Sequence, residues 1–158
     1  MIRLLPILVL TACFGDARKD ATIAYATQMQ ELMLENDDIG REFLDTALRI
    51  KKDELMPQDV ADRLDKRIVP RAKKLADKVS LVNPETPSLQ SVHVGIVRAW
   101  TNRADAYERM HAAWVASDLA EYSRALDDNK TVRKAEDRYL ESTNKLLAPY
   151  EMKLDITP

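Results

Sequence analysis

Residues 88–114, SLQSVHVGIVRAWTNRADAYERMHAAW, place Leu89, Val92, Ile96, Trp100, Tyr107, Met110 and Trp114 at steps of three, four or seven. That recurrence follows the 3.6-residue turn of an α-helix and gathers the large side chains into one apolar stripe. A second row, His93, Trp100, Tyr107 and Trp114, runs in steps of seven, with Val97, Ala104 and His111 filling the same seam. The simpler reading is that large rings fill a core otherwise built from alanine and methionine. The competing reading is a row that lines a pocket for an aromatic or haem-like ligand.

The same period extends outward on both sides. Residues 20–55 carry Met29, Leu32, Asn36, Ile39 and Phe43 in alternating steps of three and four. Residues 57–82 carry Val60, Leu64, Ile68, Leu75 and Val79 on one face. Pro57 suits a first helical turn, where its missing N–H costs nothing, whereas Pro70 should kink or divide this helix near Val69. Asn83-Pro84-Glu85-Thr86-Pro87 reads as a loop. A third helix spans about 88–116. Asp118-Leu119-Ala120-Glu121 has the pattern of a capping box, which breaks the chain at Ser117 and starts a fourth helix over 119–148, stopped by Pro149. The alternative is one longer helix to Leu126 with its turn at Asp127-Asp128-Asn129. Four amphipathic helices with short connections predict an all-α, up-down-up-down four-helix bundle about 45 Å long.

The N-terminus carries a different message. Arg3 precedes the apolar residues 4–10, a run far below the roughly 20 needed to span a bilayer, and Leu10-Thr11-Ala12-Cys13 follows. A charge, a brief apolar stretch and small residues mark a secretory signal. The quartet resembles the lipobox of bacterial lipoproteins, and Cys13 is the only cysteine in the chain. The resemblance implies cleavage between Ala12 and Cys13 and acylation of the Cys13 thiol. It further implies a cell-envelope, extracytoplasmic location. Phe14, rather than aspartate, follows the cysteine, which in this family leans towards the periplasmic face of the outer membrane. Residues 1–12 are thus expected to be a signal peptide, 13–19 the lipidated cysteine and a short tether, and 20–158 a single helical domain. The mature part resembles, diffusely, small all-helical extracytoplasmic lipoproteins of unassigned function.

The chain of 158 residues has 24 basic and 26 acidic side chains, a formal charge of −2. Removing residues 1–12 takes away one basic group, Arg3, and no acidic one, leaving −3. This balance argues against a nucleic-acid partner, which requires a clustered basic surface. With Cys13 acylated, no thiol remains for a disulfide or a nucleophile.

Few residues carry chemistry. Glu108-Arg109-Met110-His111 contains Glu-x-x-His, a metal-ligand spacing on one helical face. The only other histidine, His93, lies eighteen residues away, about 27 Å along a helix, so the two cannot share an ion; no metal and no cofactor are expected. Arg103 interrupts the apolar stripe, as Asn36 does in the first helix beside Glu35, Asp37 and Asp38. A buried guanidinium requires a partner. Three arrangements remain open: a polar layer with Asn36 or a neighbouring carboxylate, a snorkelling side chain at the stripe's edge, or an anionic ligand. Gly40 and Gly95 inside helices are expected where helices approach closely or, more rarely, where a ligand needs a gap. Charged strings such as Arg71-Ala72-Lys73-Lys74 read as solvated faces.

No acid/base pair or nucleophile set emerges, so a non-enzymatic function is expected. The leading expectation is a lipid-anchored helical envelope protein with an interaction or structural role, attached to the membrane and meeting an envelope protein. The alternative is a bundle that binds haem, metal or a small aromatic through His93, Trp100, Tyr107 and His111.

Overall fold

The computed structural model describes residues 14–155, with side chains from Ala17 onward; the expected signal peptide, Ala12 and Cys13 lie outside the described residues. The described residues form helices and connecting turns. The helices are α1 (Phe14–Lys51), α2 (Pro57–Arg63), α3 (Val69–Ser80), α4 (Pro87–Val115) and α5 (Leu119–Leu147). A π-turn, Leu64–Ile68, joins α2 to α3 without a break, so the helical arms number four, and a 3-10 turn, Ala148–Tyr150, follows α5. Among the described residues no helix is long and apolar enough to cross a membrane.

The π-turn is the chain's answer to Pro70. Proline offers no N–H and its ring crowds the carbonyl four residues back. One widened turn relieves the clash: the Val69 N–H reaches the Leu64 carbonyl, five residues back, instead of four. The irregularity predicted near Val69 therefore lies immediately upstream of it, and the arm continues.

Helix ends account for the other boundary differences. Asp53, Ser117 and Glu151 adopt left-handed backbone with φ of 55°, 57° and 58°. Each closes a six-to-one hydrogen bond with a five-to-two bond inside it: Glu54 N–H to Arg49 O at 2.9 Å with Asp53 N–H to Ile50 O, Asp118 N–H to Ala113 O at 2.8 Å with Ser117 N–H to Trp114 O, and Met152 N–H to Leu147 O with Glu151 N–H to Ala148 O. These are Schellman ends made without glycine. The first stops α1 at Lys51 rather than at 55. The second, with the Asp118 side chain accepting from Glu121 N–H at 3.0 Å, ends α4 at Val115 and removes the alternative turn at Asp127-Asp128-Asn129. Glu121 does not complete the capping box, because its carboxylate accepts from Arg109 and Arg124. At its other end α1 starts at Phe14, so residues 14–19, expected as a short tether, are helical and cover about 9 Å, where a fully extended chain would reach about 20 Å.

Two further expectations are corrected. A Cβ built on Gly40 or Gly95 meets nothing within 4 Å, so neither marks a close helix approach. The string around Arg71 is not simply solvated, since α1 and the second arm are zipped by ion pairs. Glu35 pairs with Lys78, Asp38 and Glu42 with Arg71, Glu42 with Arg67, and Asp45 with Arg63. Positions ascending on α1 meet positions descending on the second arm.

The core is continuous through the arms, with Met29, Met33, Ile39, Leu64, Ile68, Leu75, Ile96, Trp100, Tyr107, Met110 and Leu147 almost fully buried. Phe43 tilts against Tyr107 at 4.8 Å between ring centres. Helix α4 packs along α5 on one side and α3 on the other. Glu108 of the Glu-x-x-His pair bonds Lys73 at 2.6 Å.

Candidate functional site: two buried polar layers

Four of the six candidate residues on α1 and α4 fall around one layer in mid-bundle, and what completes it comes from α5. Glu136 is only 4% exposed and Arg103 7%. The carboxylate and guanidinium meet as two forks: Arg103 Nη2 donates to Glu136 Oε2 at 2.8 Å, and Arg103 Nη1 donates to Oε1. Two neutral donors share Oε1, Trp100 Nε1–H at 2.7 Å and Asn36 Nδ2–H at 2.9 Å. Two further guanidinium protons go to acceptors, one on Nη1 to Asn36 Oδ1 at 2.7 Å and the one on Nε to Asn129 Oδ1 at 3.2 Å.

Burial on this scale removes several kcal/mol of hydration from each ion, which attraction offsets only when the geometry is good and the other lone pairs are used. Here both conditions hold. The expected polar layer with Asn36 is therefore present, the guanidinium does not snorkel, and its anion is a side chain rather than a ligand. Tyr107 stands one turn past Arg103, and burial pushes its hydroxyl up while the Arg103 charge opposes the shift. The space beside Trp100 and Arg103, lined also by Asn36, Ile39, Ala72 and Leu75, admits no water-sized body. The arrangement holds charge in a fixed register.

A second layer lies two to three turns towards the Asn83 loop. His93 Nε2 is 3.1 Å from the Val79 carbonyl, and His93 Nδ1 is 3.2 Å from Tyr25 Oη. Tyr25 Oη is 2.8 Å from Tyr139 Oη. The direction of the protons follows from the fixed acceptor. The Val79 carbonyl can only accept, so Nε2 carries the proton, Nδ1 of the neutral ring accepts from Tyr25, and Tyr25 accepts from Tyr139. Burial lowers the affinity of His93 for a second proton. It also pushes the Tyr139 hydroxyl up to about 12, and Tyr25 higher still. All three groups are held neutral.

This layer makes the fold acid-sensitive. His93 titrates below its ordinary 6.5 in the folded state, so between those values the unfolded chain binds the proton and the folded chain does not. Stability is complete above about pH 6.5 and declines as pH falls through the folded value, with a slope of at most about 1.4 kcal/mol per pH unit. Denaturant unfolding at pH 7.5 and 5.5 should show this loss. His93→Gln, which keeps a donor and an acceptor but no titratable ring, should flatten it; an undiminished acid loss in that variant would contradict the assignment.

The remaining sequence candidates separate. His111 is half-buried and belongs to neither layer. Trp114, the end of the seven-residue row, is also half-buried; its indole donates to the Pro57 carbonyl at 2.9 Å and its ring meets Tyr122 at 5.6 Å. His93 has both ring nitrogens committed, which leaves it none for a metal. Among the described residues no group of three or more His, Cys, Asp or Glu side chains is placed to hold a metal ion. Sequence reasoning missed Glu136, Asn129, Tyr25 and Tyr139. The signal for α5 was present: Val132, Glu136, Tyr139, Thr143 and Leu147 recur at helical spacing and are all buried.

No protein-family model, no curated protein and no solved structure matches this chain.

Proposed function

We propose that this chain is a lipid-anchored envelope protein, an up-down-up-down bundle that holds a partner-binding tip away from the membrane and performs no catalysis. The address rests on Leu10-Thr11-Ala12-Cys13, whose acylated cysteine would sit directly before α1. The topology is supported by the order of pairing. Glu35, Glu42 and Asp45 of α1 meet Lys78, Arg67 and Arg63 in reverse. Tyr25, Asn36 and Phe43 meet His93, Arg103 and Tyr107 in the same order, and Trp100 and Arg109 of α4 meet Glu136 and Asp128 in reverse. In this arrangement the start of α1, the Asn83 loop and the C-terminus lie near the leaflet, and the Met56 and Ser117 turns lie away from it. A helix of 38 residues separates these ends by about 57 Å.

The observation that carries the reading is at the far tip. Met56 is 70% exposed, Val115 64% and Leu119 74%, and the Trp114–Pro57 hydrogen bond joins the two turns that carry them. Large apolar side chains gathered at one end mark an interaction surface, here fitted to an apolar patch on an envelope protein. Leu81, 83% exposed, sits at the opposite end and faces the bilayer in this scheme.

A photo-crosslinking amino acid placed at Leu119 or Leu81 in intact cells tests both halves. The expected result is a discrete protein adduct from position 119 and lipid adducts from position 81. Protein adducts from 81 with none from 119 would overturn the proposal.

A further inference from the structure

A groove of about 690 Å³ runs along the outside of the α4–α5 pair, with Tyr139 of the second layer forming part of its wall. Its floor is made of small residues, Gly95 and Ala99 on α4 and Ala135 on α5. The space over Gly95 is open, since a Cβ there meets nothing within 4 Å. Two guanidiniums face this space. Register across the pair follows from the Trp100–Glu136 and Arg109–Asp128 contacts. Arg98, two residues before Trp100, therefore falls level with Arg138, two residues past Glu136, and both line the groove.

Their pairing state sets them apart. Apart from Arg18 in the first turns of α1, every other described arginine has a carboxylate within 4 Å: Arg41, Arg49, Arg63, Arg67, Arg71, Arg103, Arg109, Arg124 and Arg133. Arg98 and Arg138 have none. The acids of the groove stand at its other end. Asp128 is engaged by Arg109, and Asp105 lies two turns from Arg98, about 10 Å along the helix. Ser91, Asn102 and Ser142 supply neutral donors around the pair.

We infer that Arg98 and Arg138 form a binding site for a phosphate dianion. Each guanidinium offers a planar fork of donors that matches two oxygens of an anion. A carboxylate has two oxygens and fills one fork. A phosphate monoester has three terminal oxygens and a double charge, so it bridges two forks and cancels two like charges. The open space over Gly95 gives it room to enter between the helices. Free phosphate and the monoester head group of phosphatidic acid share this chemistry.

The test uses the full-length protein in neutral detergent and reads its melting temperature against inorganic phosphate, with sodium chloride of equal ionic strength as reference. A second arm titrates vesicles of phosphatidylcholine with or without phosphatidic acid. The site predicts a saturable response to at least one probe. That response should weaken at least tenfold in Arg98→Gln and in Arg138→Gln and stay unchanged in Arg41→Gln, which lies outside the groove. Gly95→Leu, which fills the open space, should weaken it while leaving both charges in place. A response to phosphate assigns the free anion as sufficient; a response confined to phosphatidic acid vesicles assigns the head group. No response beyond the chloride reference in either arm, or equal responses in the arginine variants, would overturn the inference.

Discussion

Arg103→Met should cost the protein about 3–5 kcal/mol of stability, the range for breaking a buried ion pair from one side. The substitution is close in length and apolar, so it introduces no cavity to explain such a loss. It leaves the Glu136 carboxylate buried with Trp100 and Asn36 as donors but with no positive charge. The second step separates this cause from general damage. Glu136→Gln added to Arg103→Met removes the stranded charge and keeps an oxygen for Trp100 Nε1–H and Asn36 Nδ2–H, which otherwise would lose their acceptor at about 1–3 kcal/mol each. The double variant should therefore be more stable than Arg103→Met alone, with a coupling energy of about 2–3 kcal/mol between the two sites. Urea unfolding of the wild type, both single variants and the double variant measures the cycle. An Arg103→Met protein within about 0.5 kcal/mol of wild type, the range of an ordinary surface change, would remove the central layer from the account.

The reason for retaining such a layer is specificity of register. Replacing a buried ion pair with apolar groups is often neutral or stabilising, so hydrophobic content alone does not explain it. The forks join α4 to α5, Asn36 brings in α1, and Trp100 shares the same oxygen. A slip of either partner helix by one turn would strand two buried ions. Together with the His93 layer, this fixes the arms at two heights along the bundle.

Much of the fold was legible because apolar spacing is a local property of sequence. The start of α5, the position of the loop before Pro87 and the disturbance near Pro70 each follow from a few adjacent residues. The termini of α1 were not legible. Asp53 takes the left-handed conformation that glycine usually supplies, so nothing in its side chain announces a stop. Gly40 and Gly95 misled for the converse reason: each occupies an ordinary helical position with open space around it. Arg103 was conspicuous because it broke an apolar stripe. Glu136 was not, since it sits in Lys134-Ala135-Glu136-Asp137, where one buried carboxylate looks like its solvated neighbours. Only the stripe from Val132 to Leu147 distinguishes it. Partnerships across helices depend on register, and register is a tertiary property that spacing within one helix does not encode.

The other large effect concerns the anchor. Each acyl methylene buried in a bilayer contributes about 0.8 kcal/mol, and two chains are needed for durable attachment. The described helices add no spanning segment, so in this account Cys13 alone holds the protein at the membrane. Cys13→Ser replaces the nucleophilic sulfur with oxygen and should abolish both acylation and cleavage, leaving a full-length chain that carries no acyl group, with the bundle still folded. The most direct measurement is the intact mass of the protein extracted from membranes. The account predicts a chain that begins at Cys13 and carries the added mass of two or three acyl chains, absent from the serine variant. An unmodified wild-type chain beginning at Met1, or acyl mass or cleavage before residue 13 that persists in the serine variant, would contradict it.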